Sequence, residues 1–311
     1  MTDPVSNSEI STYLRCRRKW YLTYVLWLQP RKEDEPATGV RQLGIRIHQA
    51  LEADVKFGTA DGPLSWLDQI YGAEKLARLD AVEDLNREHD MAKTMLSGYL
   101  EWAAENGIDE GIEIVGAETD VVTELPGMPG VSIRGRLDRV IRRISDGVIL
   151  FRDWKTVGSL TQADALIRSP QMRFYAMLQR LSASDQDPRI DGGQVVYMLR
   201  SKRTARATPP FYHLEEIRYN KHDLNAAYIR AYHTIAEMTW ARQKHAHGVD
   251  YREIAIPTPL DSCSWECPFL HMCPMMDDGS NWQAMALQVY EQGSPYAYYD
   301  REPGRPPENT S

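Results

Sequence analysis

The feature that most constrains this chain is a pair of short segments around residues 135–156. Gly135-Arg136-Leu137-Asp138-Arg139-Val140 precedes Ile149-Leu150-Phe151-Arg152-Asp153-Trp154-Lys155-Thr156. Both read as β-strands. The first is apolar at Val131, Ile133, Leu137 and Ile141; the second runs apolar through Val148-Ile149-Leu150-Phe151. Asp146-Gly147 lies between them, and an Asp-Gly pair joining two apolar runs is a strong hairpin signal. Asp153 and Lys155 are two residues apart, so they point to one face of their strand. Asp138 on the first strand can be brought opposite them. Two carboxylates and an amine then meet at one place.

That constellation has a chemical reading. Mg²⁺ and Mn²⁺ favour oxygen ligands, and two carboxylates can hold one, with water and a phosphate oxygen completing the shell. Such an ion polarises a phosphodiester and lowers the pKa of a bound water. Lys155 would stabilise charge developing on the phosphorus or orient the water. The alternative is a surface hairpin with an ordinary Asp–Lys pair, since Asp-x-Lys by itself is common.

The 311 residues suffice for one large domain or two ordinary ones, and 42% hydrophobic content allows a substantial core. A net charge of −8 argues against nonspecific coating of nucleic acid but permits a local basic cleft. Met1 to Ser8 has no apolar core of a secretory signal, and no run of 18 apolar residues occurs. The expected setting is cytoplasmic, without a membrane. Four cysteines in a reducing compartment are not expected to form disulfides.

Ser6-x-x-Glu9 has capping-box spacing, and helical periodicity follows to about Gln29. That helix carries Cys16 and the basic run Arg17-Arg18-Lys19. Gly39 to Phe57 is a second helix, with His48 on the side of Leu43, Ile47 and Leu51. Residues 58–112 read as a charged helical insertion or lid. After the strand at 113–124 and the two motif strands, a helix from about Ala165 to Ser182 carries Gln171 and Tyr175, four apart and so on one face. Two more strands (194–200 and 211–219) and a long helix (221–246) follow. The order predicts an α/β (α+β) fold with a central mixed sheet. We expect a single domain over 1–292 and a disordered tail over 293–311.

Cys263, Cys267 and Cys273 fall in a short loop within 256–277, and Cys16 lies near the other end of the chain. Joined, they would staple the N-terminal helix to that loop. Thiolates suit zinc or an iron–sulfur cluster, and the spacing does not separate them. Buried free thiols are the alternative.

Taken together, Cys16, Gly44-x-x-x-His48, Gly135-Arg-Leu-Asp138, Asp153-Trp-Lys155, Gln171-x-x-x-Tyr175 and the cysteine triplet resemble the PD-(D/E)XK nuclease superfamily. Within it the pattern resembles the RecB-like iron–sulfur exonucleases: CRISPR-associated adaptation exonucleases, phage-encoded relatives and the AddB nuclease domain. The resemblance runs from Ser6 to Pro274, apart from the segment between Gly58 and Ile112. It implies a metal-dependent DNA exonuclease acting on single strands or ends, with recombination or CRISPR adaptation proteins as partners. His48, Asp138, Asp153 and the Trp154 carbonyl would be metal ligands, Lys155 the catalytic lysine, and Gln171 and Tyr175 would contact DNA or position the site. Cys16, Cys263, Cys267 and Cys273 would hold a [4Fe–4S] cluster, zinc being the other occupant. The gap of three between Cys263 and Cys267 departs from the family's usual two. An imidazole ligand biases the metal site towards Mn²⁺ over Mg²⁺. Arg17, Arg18, Lys19, Arg173, Arg200, Lys202 and Arg203 are candidate phosphate contacts. The reading from another class is a non-catalytic DNA-end or partner-binding module stapled by a Cys₄ metal site.

Overall fold

The Asp146-Gly147 turn forms where the sequence places it. Gly147 sits at φ 70°, and Asp146 accepts a hydrogen bond from the Val148 amide at 3.2 Å. In the computed structural model, which describes residues 3–58, 62–161, 169–183, 189–203 and 206–300, this turn joins two antiparallel strands. In chain order the main elements are β1 (Val5–Ser6), α1 (Asn7–Arg15), α2 (Arg17–Trp20), β2 (Leu28–Pro30), α3 (Val40–Phe57), α4 (Pro63–Ala77), α5 (Val82–Glu105) and β3 (Ile112–Glu124). Then come β4 (Ser132–Arg143), β5 (Ile149–Val157), α6 (Pro170–Ser182), β6 (Gly192–Leu199), β7 (Tyr212–Arg218) and α7 (Lys221–Ala246). The chain closes with α8 (Cys263–Glu266), α9 (Met272–Met275), α10 (Trp282–Val289), β8 (Tyr290–Gln292) and α11 (Ala297–Asp300). The expected helix over 165–182 is described from Pro170; its first residues lie outside the described ones.

Where sequence suggests one domain, the described chain divides into two interleaved units. One takes residues 3–35, 122–135 and 225–300; the other takes 36–121 and 136–224. The fold is mixed α/β, with a mixed sheet and flanking helices.

In the second unit β5 pairs with β6 in parallel over eight rungs, from Leu150↔Gly192 to Val157↔Leu199, and β6 pairs antiparallel with β7. β4 and β5 are paired only from Arg142↔Ile149 to Arg139↔Arg152. Beyond that rung they fork. Two glycines let the layers close. A Cβ on Gly192 would collide with the Ile217 carbonyl oxygen, and one on Gly193 would stand 2.7 Å from both Met172 and Phe151.

The segment read as a lid is instead the helical layer of this unit. Ile70 and Tyr71 of α4 and Met95, Leu96 and Tyr99 of α5 are buried in one cluster with Leu43 and Ile47 of α3. The sheet contributes Trp154, Val196, Met198 and Tyr212. The charged residues that suggested a lid occupy the outer helix faces. One charge goes inward: Arg46 is 4% exposed and donates to Glu74 on α4, Glu88 on α5 and the Ala37 carbonyl. A buried guanidinium is stable only when so matched.

In the first unit the expected continuous helix to Gln29 breaks at Cys16. Its backbone is extended (φ −159°, ψ 112°), while its amide still reaches the Thr12 carbonyl at 2.9 Å. Just before the expected tail, β8 pairs with β2; within the tail's described residues, 293–300, α11 forms and Tyr296 is 3% exposed. Its hydroxyl donates at 2.5 Å to Glu9, a fully buried carboxylate that also accepts from Trp20 Nε1 and Arg242. That buried acceptor is what fixes the segment. Residues 301–311 lie outside the described ones.

Candidate active site

The fork between β4 and β5 positions the candidate residues. Asp138 and Asp153 would form the next antiparallel rung after Arg139↔Arg152, and pairing stops there. β5 presents Phe151, Asp153 and Lys155 on one face and packs Trp154 on the other. α3 sets His48 across the fork. Its Nδ1 stands 3.1 Å from Asp138 Oδ2 and its Nε2 2.5 Å from the Trp154 carbonyl oxygen. That carbonyl is available because β4 has left the ladder.

α6 closes the site from the Asp153 face, capped at its start by the Ser169 hydroxyl. Lys155 Nζ donates at 3.1 Å to Asp153 Oδ1 and at 3.1 Å to Gln171 Oε1; Gln171 Nε2 donates at 3.1 Å to the Tyr175 hydroxyl. Tyr175 rests edge-on against Phe151, ring centres 6.1 Å apart. One chain of contacts therefore runs Asp153–Lys155–Gln171–Tyr175, and all seven metal and catalytic candidates meet in this unit.

Side-chain exposure rises from 6% at Asp153 through 17% at Asp138 and 28% at His48 to 38% at Lys155. The acids are at the bottom and the lysine at the mouth. Burial pushes the Asp153 carboxyl up to about 6; Lys155 opposes the rise and Asp138 adds to it. Burial also acts on Asp138, but His48 and Lys155 outweigh it and hold that carboxyl below its ordinary range. Burial would lower His48 and Lys155, yet Asp138 and Asp153 outweigh it and raise both above their ordinary values.

Asp138 Oδ2 and Asp153 Oδ2 are buried without a well-aligned hydrogen bond among the described residues, and each faces a basic group: His48 Nδ1 at 3.1 Å and Lys155 Nζ at 2.9 Å. Two such oxygens, a carbonyl and an imidazole form a donor set suited to Mg²⁺ or Mn²⁺. In this structure the donors are closed onto one another, and no three His, Cys, Asp or Glu side chains among the described residues stand at mutual metal-ligand distance. Two nearby residues were not among the sequence candidates. Glu52, one turn past His48, lines the same small cavity as His48 and Asp138; its i+4 spacing was the available signal. Tyr197 lies across from Lys155 on β6, a register no local pattern reveals.

The four cysteines are half-buried, unpaired and all in the first unit. Burial raises the Cys267 and Cys273 thiols; Cys263 acts on Cys267, and Cys16 on Cys273, through their charges. The Leu260 amide donates to Cys263 Sγ at 3.4 Å and Arg18 to Cys273 Sγ at 3.7 Å.

The basic candidates separate. Arg18 turns inward, its side chain 3% exposed, donating to Asp277, the Ala255 carbonyl and the Cys273 carbonyl. Arg203 packs over Phe211 and Tyr212 and donates to the Tyr212 hydroxyl. Arg17 pairs with Glu237 at 2.7 Å, and Lys19 reaches the Glu266 carbonyl at 3.3 Å. Arg173 acts on Tyr219 through its charge. Arg200 and Lys202 follow β6 and have no ion pair among the described residues.

The sequence matches the family model of the PD-(D/E)XK nuclease superfamily over residues 4–274. The chain belongs to that superfamily. No curated protein matches this nuclease. Among solved structures it is similar to a candidate exonuclease from Eubacterium rectale, with TM-score 0.50 and 11% identity, over 86% of this chain and 94% of that one. It also aligns with SSO0001, with TM-score 0.28 and 16% identity, over 51% and 70%. The first likeness supports the fold of the nuclease. No helix among the described residues is long and apolar enough to cross a membrane.

Proposed function

We propose that this nuclease is a metal-dependent DNA exonuclease whose site is the β4–β5 fork. The observation that carries this reading is the pair of buried carboxylate oxygens, on Asp138 and Asp153, beside a lysine already aligned by Gln171. His48, Asp138, Asp153 and the Trp154 carbonyl would hold a divalent cation. When bound, the cation polarises the phosphodiester and lowers the pKa of the attacking water. The rest is done by the chain. Lys155 stays protonated because two carboxylates lie beside it, and its half-buried ammonium would meet the phosphate oxygen on which charge develops. Gln171 keeps that ammonium from collapsing onto Asp153 alone, and Tyr175 fixes the amide's orientation.

The E. rectale protein's description as a candidate exonuclease favours end-directed cutting over internal cutting. Cys16, Cys263, Cys267 and Cys273 would hold a [4Fe–4S] cluster as a structural clamp. The support is their gathering in one unit, with two sulfurs accepting N–H groups. The test is degradation of end-labelled single- and double-stranded DNA with Mn²⁺, Mg²⁺ or EDTA. Wild type should digest both ends-labelled forms or one of them only with metal, and Lys155→Ala should fall by about 10²–10³-fold with its fold intact. Cutting in EDTA, or a fully active Lys155→Ala, would remove this assignment.

A further inference from the structure

We propose that the cavity beyond the end of β5 binds the phosphate-bearing terminal nucleotide of the strand being cut. The proposal rests on the nuclease reading and adds an end specificity to it.

The route to the cavity is set by the fork. From Asp153 to Val157 β5 is no longer paired with β4 and keeps only β6 as a described partner. Following that edge from Asp153 to Gly158 covers five residues, or about 16 Å at about 3.3 Å per residue. There the Arg200 amide closes on the Val157 carbonyl at 2.9 Å, and both strands end. A cavity of about 520 Å³ opens at this point, lined by Gly39, Leu43, Met91, Gly158, Arg200 and Lys202 among others. Its size lies within the roughly 300–1,000 Å³ typical of small-ligand sites.

Its charges are unbalanced. The acids on the wall are already used: Asp84 pairs with Arg87, while Glu88 accepts from Arg46, Tyr71 and the Gly39 amide. Arg200 and Lys202 have no ion-pair partner among the described residues, and Arg200 Nε is buried without a hydrogen bond. Gly158 makes room for the guanidinium, since a Cβ there would stand 3.1 Å from Arg200 Nη2. The half-buried Arg200 guanidinium, unmatched in a partly enclosed space, calls for an oxyanion; the exposed Lys202 ammonium adds positive charge beside it, and a fork of N–H donors fits phosphate. Opposite them Leu43, 3% exposed, and the half-buried Met91 form an apolar wall for a sugar or base. The combination selects a nucleotide with a phosphate rather than an inorganic anion. A stacked strand, at about 3.4 Å per phosphate, spans about 16 Å in about five steps. An extended strand needs fewer. An end held in the cavity would therefore be released as a short oligonucleotide.

The test compares single-stranded DNA carrying a 5′-phosphate, a 3′-phosphate or only hydroxyl ends. Substrates are internally labelled and cut with Mn²⁺ by wild type, Arg200→Ala/Lys202→Ala and the cavity-filling Met91→Trp. Wild type should favour one phosphorylated end by about tenfold in kcat/KM and release oligonucleotides of about five residues or fewer. Both variants, verified as folded by circular dichroism, should bring that ratio close to one. In parallel, anisotropy in EDTA with Lys155→Ala should show tighter binding of the same phosphorylated end, competed by deoxycytidine monophosphate. Equal cutting and binding of all three ends overturns the proposal. So does competition by the free nucleotide without any end preference, which would make the cavity a free-nucleotide site. If no DNA is cut under any condition the nuclease reading fails, while the binding arm still decides whether the cavity prefers a phosphorylated end.

Discussion

At the residue scale the geometry of the candidate site was legible wherever short spacings define it. Asp153 and Lys155 share a strand face, Gln171 and Tyr175 share a helix face, and all four join in one hydrogen-bonded chain. The basic residues were not legible in this way. Nothing in Arg17-Arg18-Lys19 distinguishes the one that turns inward to Asp277 from its neighbours. The titration of Asp153 gives a prediction with a definite sign. Its carboxyl is raised to about 6 in the folded protein by burial. Between the ordinary carboxylate range and about pH 6, the folded state holds a proton that the unfolded chain has released, so stability falls as pH rises through that window. Asp153→Asn removes the dependence. In EDTA it should melt above wild type at pH 8, with the gap closing towards pH 4; a gap that is constant with pH would contradict the assignment. Gln171→Ala should lower kcat by about tenfold with little change in KM, because Lys155 loses its second partner. Its pH profile should also shift, since the amine is then left to Asp153 alone.

At the element scale the hairpin was readable from Asp146-Gly147, but its fork was not. The fork depends on where β4 parts from β5, after Arg139↔Arg152, and nothing in either strand's own pattern marks that rung. The helices of residues 63–105 were recognised as helices, yet their charge suggested a lid. Only the three-dimensional cluster shows that their apolar stripes cover Trp154 and Met198. The same layer-closing argument marks Gly192. No side chain fits between it and the Ile217 carbonyl, so Gly192→Ala must push β7 away from β6. Overpacking of this kind costs about 1–3 kcal/mol. The measurement is urea unfolding, in which the midpoint should drop with an unchanged slope. Loss of activity in this variant should follow loss of folded protein and not precede it.

At the scale of the whole molecule, the chain crosses between its two units repeatedly, and each unit carries one of the two candidate centres. The catalytic candidates lie in the unit made of residues 36–121 and 136–224, and the cysteines in the other, Cys16 in its first stretch and the rest in 225–300. This interleaving is not visible in composition, because neither unit is a continuous stretch. It makes a specific claim about the cysteines. Cys16 sits at the break between α1 and α2, while the other three cysteines lie in the segment of α8 and α9 after α7, some 250 positions later. Closing so long a loop contributes to stability chiefly by restricting the unfolded chain, and Arg18 already draws the same two segments together through Asp277 and the Cys273 carbonyl. A group held by the four thiols would reinforce that contact without touching the carboxylates. Cys16→Ser should therefore lose the brown colour and broad absorbance near 400 nm expected of a [4Fe–4S] protein. Hydrogen exchange should then accelerate first over residues 7–20 and 262–276, while β5 and β6 keep their protection at low temperature. The opposite pattern, with β5 and β6 unprotected as soon as the thiol is lost, would mean that the cysteines support the catalytic unit itself and are more than a clamp on the ends of the chain.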